Sequence, residues 1–291
     1  MSALLFLLLA PLFTGSLKWF KARLQNRVGP DPLYDYKNLL KLWRKTWIRP
    51  QGSSPLFLLA PVVSLLSVAL AAAFLPLKSA SAGTLGISFA GDFLMLVYLL
   101  NLGRFFQVLA ALDAGSAFGG QGSYREGLLS VLTEPGTVLA LGAAGLASGS
   151  LSLADFSPLS QGNALVYILA LVALSLALLA EGARMPVDDP TTHLELTMIH
   201  EAQLLDHSGP LLALYELSAG MKLLVYTGLI ALLLPFGGLS FPAALLLAWL
   251  GLAYLETYGV RLRYLRLPDL MSYNTLMGIL AVLGVVLRFR I

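Results

Sequence analysis

With 291 residues, 57% of them apolar and only 12% charged, the chain has too little polar surface to wrap a water-soluble globule, which excludes a soluble enzyme. It contains no cysteine, which excludes a disulfide framework, a thiolate zinc site and iron–sulfur ligation by this chain, so any redox centre must sit on a partner. The net charge of +3 is small, and what matters is how Lys and Arg are shared among the loops.

A helix needs roughly 20 apolar residues to cross a hydrocarbon core of about 30 Å. Runs of that kind lie at about 2–18, 54–77, 87–112, 127–149, 163–183, 209–235, 240–258 and 272–288. None alternates apolar with polar residues as a membrane barrel strand does. The expected fold is an all-α integral membrane protein, a single polytopic domain over 1–291 with about eight transmembrane helices and amphipathic helices in its loops. The first run lacks a basic start and a small-x-small cleavage site, and Lys18 to Arg27 follow it directly, so it is expected to be retained as a span.

Fourteen of the 19 basic residues fall in the loops Lys18–Arg49, Asp113–Glu126, Arg184–His207 and Arg261–Asp269. The positive-inside rule then places these loops in the cytoplasm and both termini outside. The two longest, about 18–52 and 184–208, form the expected docking surface. Within the first, DYKNLLKLWRKTW is amphipathic and mixes bases with Trp and Tyr, a composition that also suits an interfacial helix on anionic headgroups.

An ionisable side chain at the bilayer centre costs on the order of 2.5–3.5 kcal/mol, so each one demands a partner or a task. Asp92, Arg104, Glu134, Glu181, Glu216, Lys222 and Glu256 lie within or at the ends of the expected spans. A structural ion pair is the ordinary explanation for any one of them, and Glu256 falls close to Arg261. Taken together, Glu134, Glu181 and Glu216 on three consecutive spans outnumber the bases at depth, Arg104 and Lys222. Surplus carboxylates in a low-dielectric bundle exchange protons readily, which is how intramembrane acids serve in pumps.

The densest polar stretch runs from Glu181 to His207, with six acids, three His and one Arg. Pro186 and Pro190 break the helix after the fifth span, and Asp189 or Thr191 can cap a new helix running through His193, Leu196, Ile199 and His200. His193 and His200 share a face of it, flanked by Glu195 and Glu201. His and Glu are metal ligands, but the pattern of two His four apart around a Glu is absent. Nucleophile elbows, glycine-rich phosphate loops and a nucleic-acid-binding pattern are also missing. The stretch reads as a proton-handling and docking surface.

Two segments together carry a resemblance: LQNRVGP at 24–30 and AEGARMPVDDPTTHLELTMIHEA at 180–202. They resemble the H-subunit family of respiratory complex I and its hydrogenase relatives, whose eight-helix subunit joins an electron-transfer arm to a proton-pumping membrane arm. The complex I form of the second segment runs E-x-x-R-x-P-F-D-L-P-E-A-E-x-E-L. Here Glu181, Arg184, Pro186, Asp188, Pro190, Glu195 and Leu196 keep its frame. Val187 stands where Phe is usual, Asp189 replaces Leu, and Thr191 and His193 replace two acids of the quinone loop. That variant looks like the membrane-bound [NiFe] hydrogenases, the group that includes formate hydrogenlyase and energy-converting hydrogenases.

The resemblance implies roles for individual residues. Arg27, Gly29 and Pro30 would brace the docked arm, with Arg261 and Arg263 contacting it from the fourth cytoplasmic loop. Glu181, Arg184, Asp188, Asp189, His193, Glu195, His200 and Glu201 would form the junction, and Glu134 the next step of a carboxylate path that Glu216, Lys222 and Asp92 fit by position. The chain itself would be non-catalytic and bind no cofactor. Nickel–iron and iron–sulfur centres would belong to hydrogenase-like large and small subunits and iron–sulfur subunits, and antiporter-like subunits would adjoin it in the cytoplasmic membrane. No nucleic acid is expected. A quinone-reactive complex I-type subunit is the alternative, and a stand-alone transporter or channel the alternative of another class.

Overall fold

In the computed structural model the residues described are 2–79, 83–156, 164–188, 198–234, 241–260 and 262–288. The long helices are α1 Ser2–Leu24, α3 Leu56–Phe74, α4 Asp92–Asp113, α5 Ala117–Ser148, α6 Ala164–Glu181, α8 Gly209–Leu233, α9 Phe241–Tyr258 and α10 Leu267–Arg288. Eight helices, the last counted from Tyr264, are long and apolar enough to cross a membrane, and the chain is a multi-pass membrane protein. Two short helices lie in the polar connections, α2 Tyr34–Trp43 and α7 His200–Leu204. A small antiparallel hairpin, β1 Leu77–Ser79 with β2 Gly83–Leu85, lies in the connection after α3 and was not expected.

α8 is the most buried span, with 78% of its apolar window enclosed, whereas α1, α9 and α10 keep most of their apolar surface outward. α3 lies along α4, and α10 packs along α5 and α6. An apolar exterior of this kind is what a helical bundle presents to lipid.

The four loops expected to share a side do meet at one end of the bundle. The Ile48 amide donates to Ser208 Oγ at 3.0 Å, the Ser54 amide to Asp113 Oδ2 at 2.8 Å, Ser116 Oγ to Asp206, and the Leu262 amide to the Pro186 carbonyl at 3.0 Å. At the other end the Gly91 amide donates to the Leu151 carbonyl at 3.0 Å.

Two expectations differ from the fold. α5 begins at Ala117, capped by Ser116 Oγ accepting from the Gly119 amide at 3.0 Å, ten residues before the expected start at 127. The apolar run stops at Arg125 and Glu126, but both are buried in the bundle with partners, so the helix continues through them. α6 stops at Glu181, before Pro186 is reached, because Ala183 turns left-handed at φ 51° and the Arg184 amide bonds back to the Leu179 carbonyl at 3.0 Å. Glu256 pairs with Arg184 and Lys21, and Arg261, its expected neighbour, lies outside the described residues. The helix expected from Asp189 or Thr191 falls largely on 189–197, also outside them, and the described helix starts at His200.

Candidate functional site

Where α6 ends, Glu181 lies between two bases: Arg104 of α4 contacts Oε1, and Lys222 Nζ of α8 lies 2.8 Å from Oε2. Arg104 also donates to Asn101 Oδ1 at 2.7 Å, and its Nε faces Glu126 Oε1 of α5 at 3.7 Å. Glu126 Oε2 is 3.1 Å from His200 Nε2, and His200 Nδ1 is 3.3 Å from Asp188 Oδ2, which also accepts the His200 amide at 3.1 Å. The result is a string of alternating charges, Lys222, Glu181, Arg104, Glu126, His200, Asp188. It runs from α8 across α6, α4 and α5 to the junction loop.

Both imidazole nitrogens face a carboxylate, which selects the doubly protonated ring. Burial opposes that charge, but Glu126 and Asp188 outweigh it and push the His200 pKa up to about 10. With His200 charged, the string holds three acids and three bases. The expected surplus of carboxylates is therefore not found around Glu181: both deep bases converge on it, and His200 comes in from the loop as a third base. Removing any one partner would strand a buried charge.

Beside the string lies a cavity of about 260 Å³, lined among others by Arg104, Glu181, Arg184, His200, Glu201 and Lys222. Its lining also carries Lys18 Nζ 2.7 Å from Asp35 Oδ1, Thr14 Oγ1 donating to Asp35 Oδ2 at 2.6 Å, and Asn38 Nδ2 donating to Glu216 Oε2 at 2.8 Å. A second cluster closes the junction, with Glu256 between Arg184 at 3.1 Å and Lys21 at 3.5 Å.

The structure thus brings Glu181, Lys222, Asp188 and His200 into one string, with Arg184, Glu201 and Glu216 around the adjoining cavity. Glu134 lies two turns beyond Glu126 on α5, half-buried. Asp92 is apart from them: it starts α4, about 18 Å along the axis from Arg104, and its carboxylate binds Ser152 Oγ at 3.1 Å and the Leu153 amide at 2.9 Å. Arg27 and Pro30 are exposed, and Gly29 lies against Ala22 and Trp19 where the chain folds back on α1. Arg263 is exposed as well. Asp189, His193, Glu195 and Arg261 lie outside the described residues.

Sequence reasoning missed Glu126, Asn101 and the Lys18–Asp35 pair. The charge pattern places Glu126 in a loop, whereas Ser116 as a cap and the eight-residue step to Glu134 along one helix are the signals for it. Among the described residues no group of three or more His, Cys, Asp or Glu could hold a metal ion, and both His200 nitrogens are occupied by carboxylates. A chain without thiolates offers no ligand set for an iron–sulfur or nickel–iron centre.

A family model described as NADH dehydrogenase matches residues 1–288. The chain is 37% identical over 239 residues to hydrogenase-4 component C of Escherichia coli K12, covering 81% of this chain and 74% of that one. It is 32% identical over 262 residues to formate hydrogenlyase subunit 4 of the same organism, covering 87% and 83%. Among solved structures, a chain of the membrane-bound sulfane sulfur reductase, an archaeal respiratory membrane complex, matches with a TM-score of 0.79 over 98% of both chains at 18% identity, a likeness of fold.

Proposed function

The chain belongs to the NADH dehydrogenase family, and from that premise we propose that it is a membrane subunit of an energy-converting [NiFe] hydrogenase-type complex. In this reading it seats the electron-transfer arm and couples that arm's redox chemistry to translocation of protons or sodium ions. Support for the hydrogenase branch comes from the relatives, hydrogenase-4 component C and formate hydrogenlyase subunit 4, and from the Val187, Asp189, Thr191 and His193 variant of the loop. The metal centres belong to hydrogenase-like large and small subunits and iron–sulfur subunits docked on Arg27, Gly29, Pro30, Arg261 and Arg263, and antiporter-like subunits carry the ions. The loop end of the bundle faces the cytoplasm and both termini face outward.

The observation that carries the coupling reading is the string from Asp188 to Lys222, because it leads from the docking loop into the bundle through groups that share charge. Arg104 stands between Glu126 and Glu181, so loss of charge at His200 strengthens its hold on Glu126 and loosens Glu181. Glu181 can then accept a proton from water in the adjoining cavity, which has room for several molecules. Glu134, farther along α5, takes the next step toward a neighbouring subunit. Asp189, His193 and Glu195 extend the junction in the same loop. Asp92 takes no part in this path.

The test is Glu181→Gln and Glu134→Gln in the assembled complex, read as ion translocation in inverted membrane vesicles during electron transfer. Coupled transport should fall by about tenfold while all subunits still co-purify. Undiminished transport in both variants would leave these carboxylates a structural role only. A quinone-reactive subunit is the second reading, favoured by the 260 Å³ cavity. Quinone-dependent turnover of the purified complex would put it first.

A further inference from the structure

We propose that the outer face of α2 and the segment after it form a binding surface for anionic phospholipid headgroups, and that lipid held there clamps α2 over the cavity. α2 is two-sided. Asp35, Asn38, Leu39 and Leu42 follow the i, i+3, i+4, i+7 spacing and face inward, where Asp35 and Asn38 bind Lys18, Thr14 and Glu216 and, with Leu39, line the cavity. The opposite side and its continuation expose Leu40, Lys41, Trp43, Arg44, Lys45, Trp47 and Ile48.

The charge there is one-sided. Lys37 is taken by Asp31 at 2.7 Å and Arg49 by Ser53. Lys41, Arg44 and Lys45 have no acidic partner among the described residues, and no acid lies between Tyr36 and Arg49 in sequence.

Depth selects lipid over a soluble partner. Tyr36 donates to the Leu8 carbonyl and Asp35 accepts from Thr14, so α2 is pinned alongside an apolar span rather than held above it. The neighbouring α1 surface exposes Leu4, Leu8 and Leu12, and α2 exposes Leu40 and Trp43. Bases and tryptophans bordering such a surface lie at headgroup level. Attraction of roughly fivefold per base puts the three unpaired cations on the order of a hundredfold in favour of an anionic over a neutral headgroup.

The experiment uses the full complex with Lys41→Gln, Arg44→Gln and Lys45→Gln combined, against a control with Lys41→Arg and Lys45→Arg. Complexes are reconstituted with phosphatidylcholine alone or with phosphatidylglycerol added. Retained phosphatidylglycerol is measured by mass spectrometry after delipidation, and turnover is measured in each bilayer. The parent and the Arg control should retain phosphatidylglycerol and turn over faster in its presence, while the Gln variant loses both properties. Equal retention in the Gln variant overturns the proposal, as does loss of the hydrophilic subunits in every bilayer with retained lipid unchanged, which would assign the face to a protein partner. Retention does not depend on the coupling reading, so failure of the Glu181→Gln test leaves the lipid result standing, and the reverse.

Discussion

His200 and His207 are seven residues apart in one loop region, yet their surroundings push them in opposite directions. Burial would discharge His200, but Glu126 and Asp188 hold it protonated to about pH 10. Its folded-state pKa lies above the ordinary value of 6.5, so its contribution to stability is complete below about 6.5 and is lost as pH rises toward 10. His207 stacks on Phe57 at 4.1 Å between ring centroids and meets Tyr215 edge-on at 4.9 Å. Burial pulls its pKa down to about 4, against the opposing charge of Asp206, so its contribution is present above 6.5 and lost as pH falls through 4. His200→Gln should therefore lower the thermal midpoint of the purified complex at pH 7 and flatten its decline toward pH 10. His207→Phe keeps the stacking partner without the titrating ring, and should raise the midpoint near pH 4 relative to the parent while changing it little at pH 8. Arg104→Met should be more damaging than either, by about 3–5 kcal/mol, because it strands two buried carboxylates at once. A shift no larger than that of Lys222→Met, measured in the same thermal assay, would mean that water replaces the guanidinium.

At the level of the element, α5 was the least legible helix and has the most consequences. Its first turns read as a loop because glycines and the Arg125–Glu126 pair interrupt the apolar pattern, and composition cannot show that Arg125 will donate to the Met198 carbonyl at 2.7 Å. The long apolar helices were legible because length and hydropathy suffice to define them. Pairing was not, since which acid meets which base depends on how helices distant in sequence rotate against one another. Farther along α5, Pro135 follows Glu134 directly, and Asn274 of α10 donates to the Thr133 carbonyl at 3.0 Å beside that break. A Cβ on Gly136 would lie 2.5 Å from the Asn274 side chain, so this glycine sets how closely α5 and α10 approach. Gly136→Ala should cost about 1–3 kcal/mol, read as a lowered thermal midpoint, with partial recovery when Asn274→Ser is added. No recovery would mean that the backbone, not the amide, limits the approach.

Across the whole molecule, the loops grouped by positive charge in the sequence are the loops that hydrogen-bond to one another at one end of the bundle, and this agreement is independent of any pairing inside it. An even number of spans returns the chain to its starting side, so one measurement at each end of a helix decides the whole topology. The absence of cysteine makes that measurement clean, because a single introduced thiol is the only site a maleimide can label on this chain. Ser88 is exposed in the connection before α4, at the end away from the basic loops, and Lys45 is exposed at the loop end. In intact cells stripped of their wall, a membrane-impermeant maleimide should label Ser88→Cys and leave Lys45→Cys unlabelled, and in inverted vesicles the two should exchange. The opposite pattern would turn the docking surface outward, away from any cytoplasmic electron-transfer arm, and a hydrogenase-type role would fall with it whatever the carboxylates inside the bundle do.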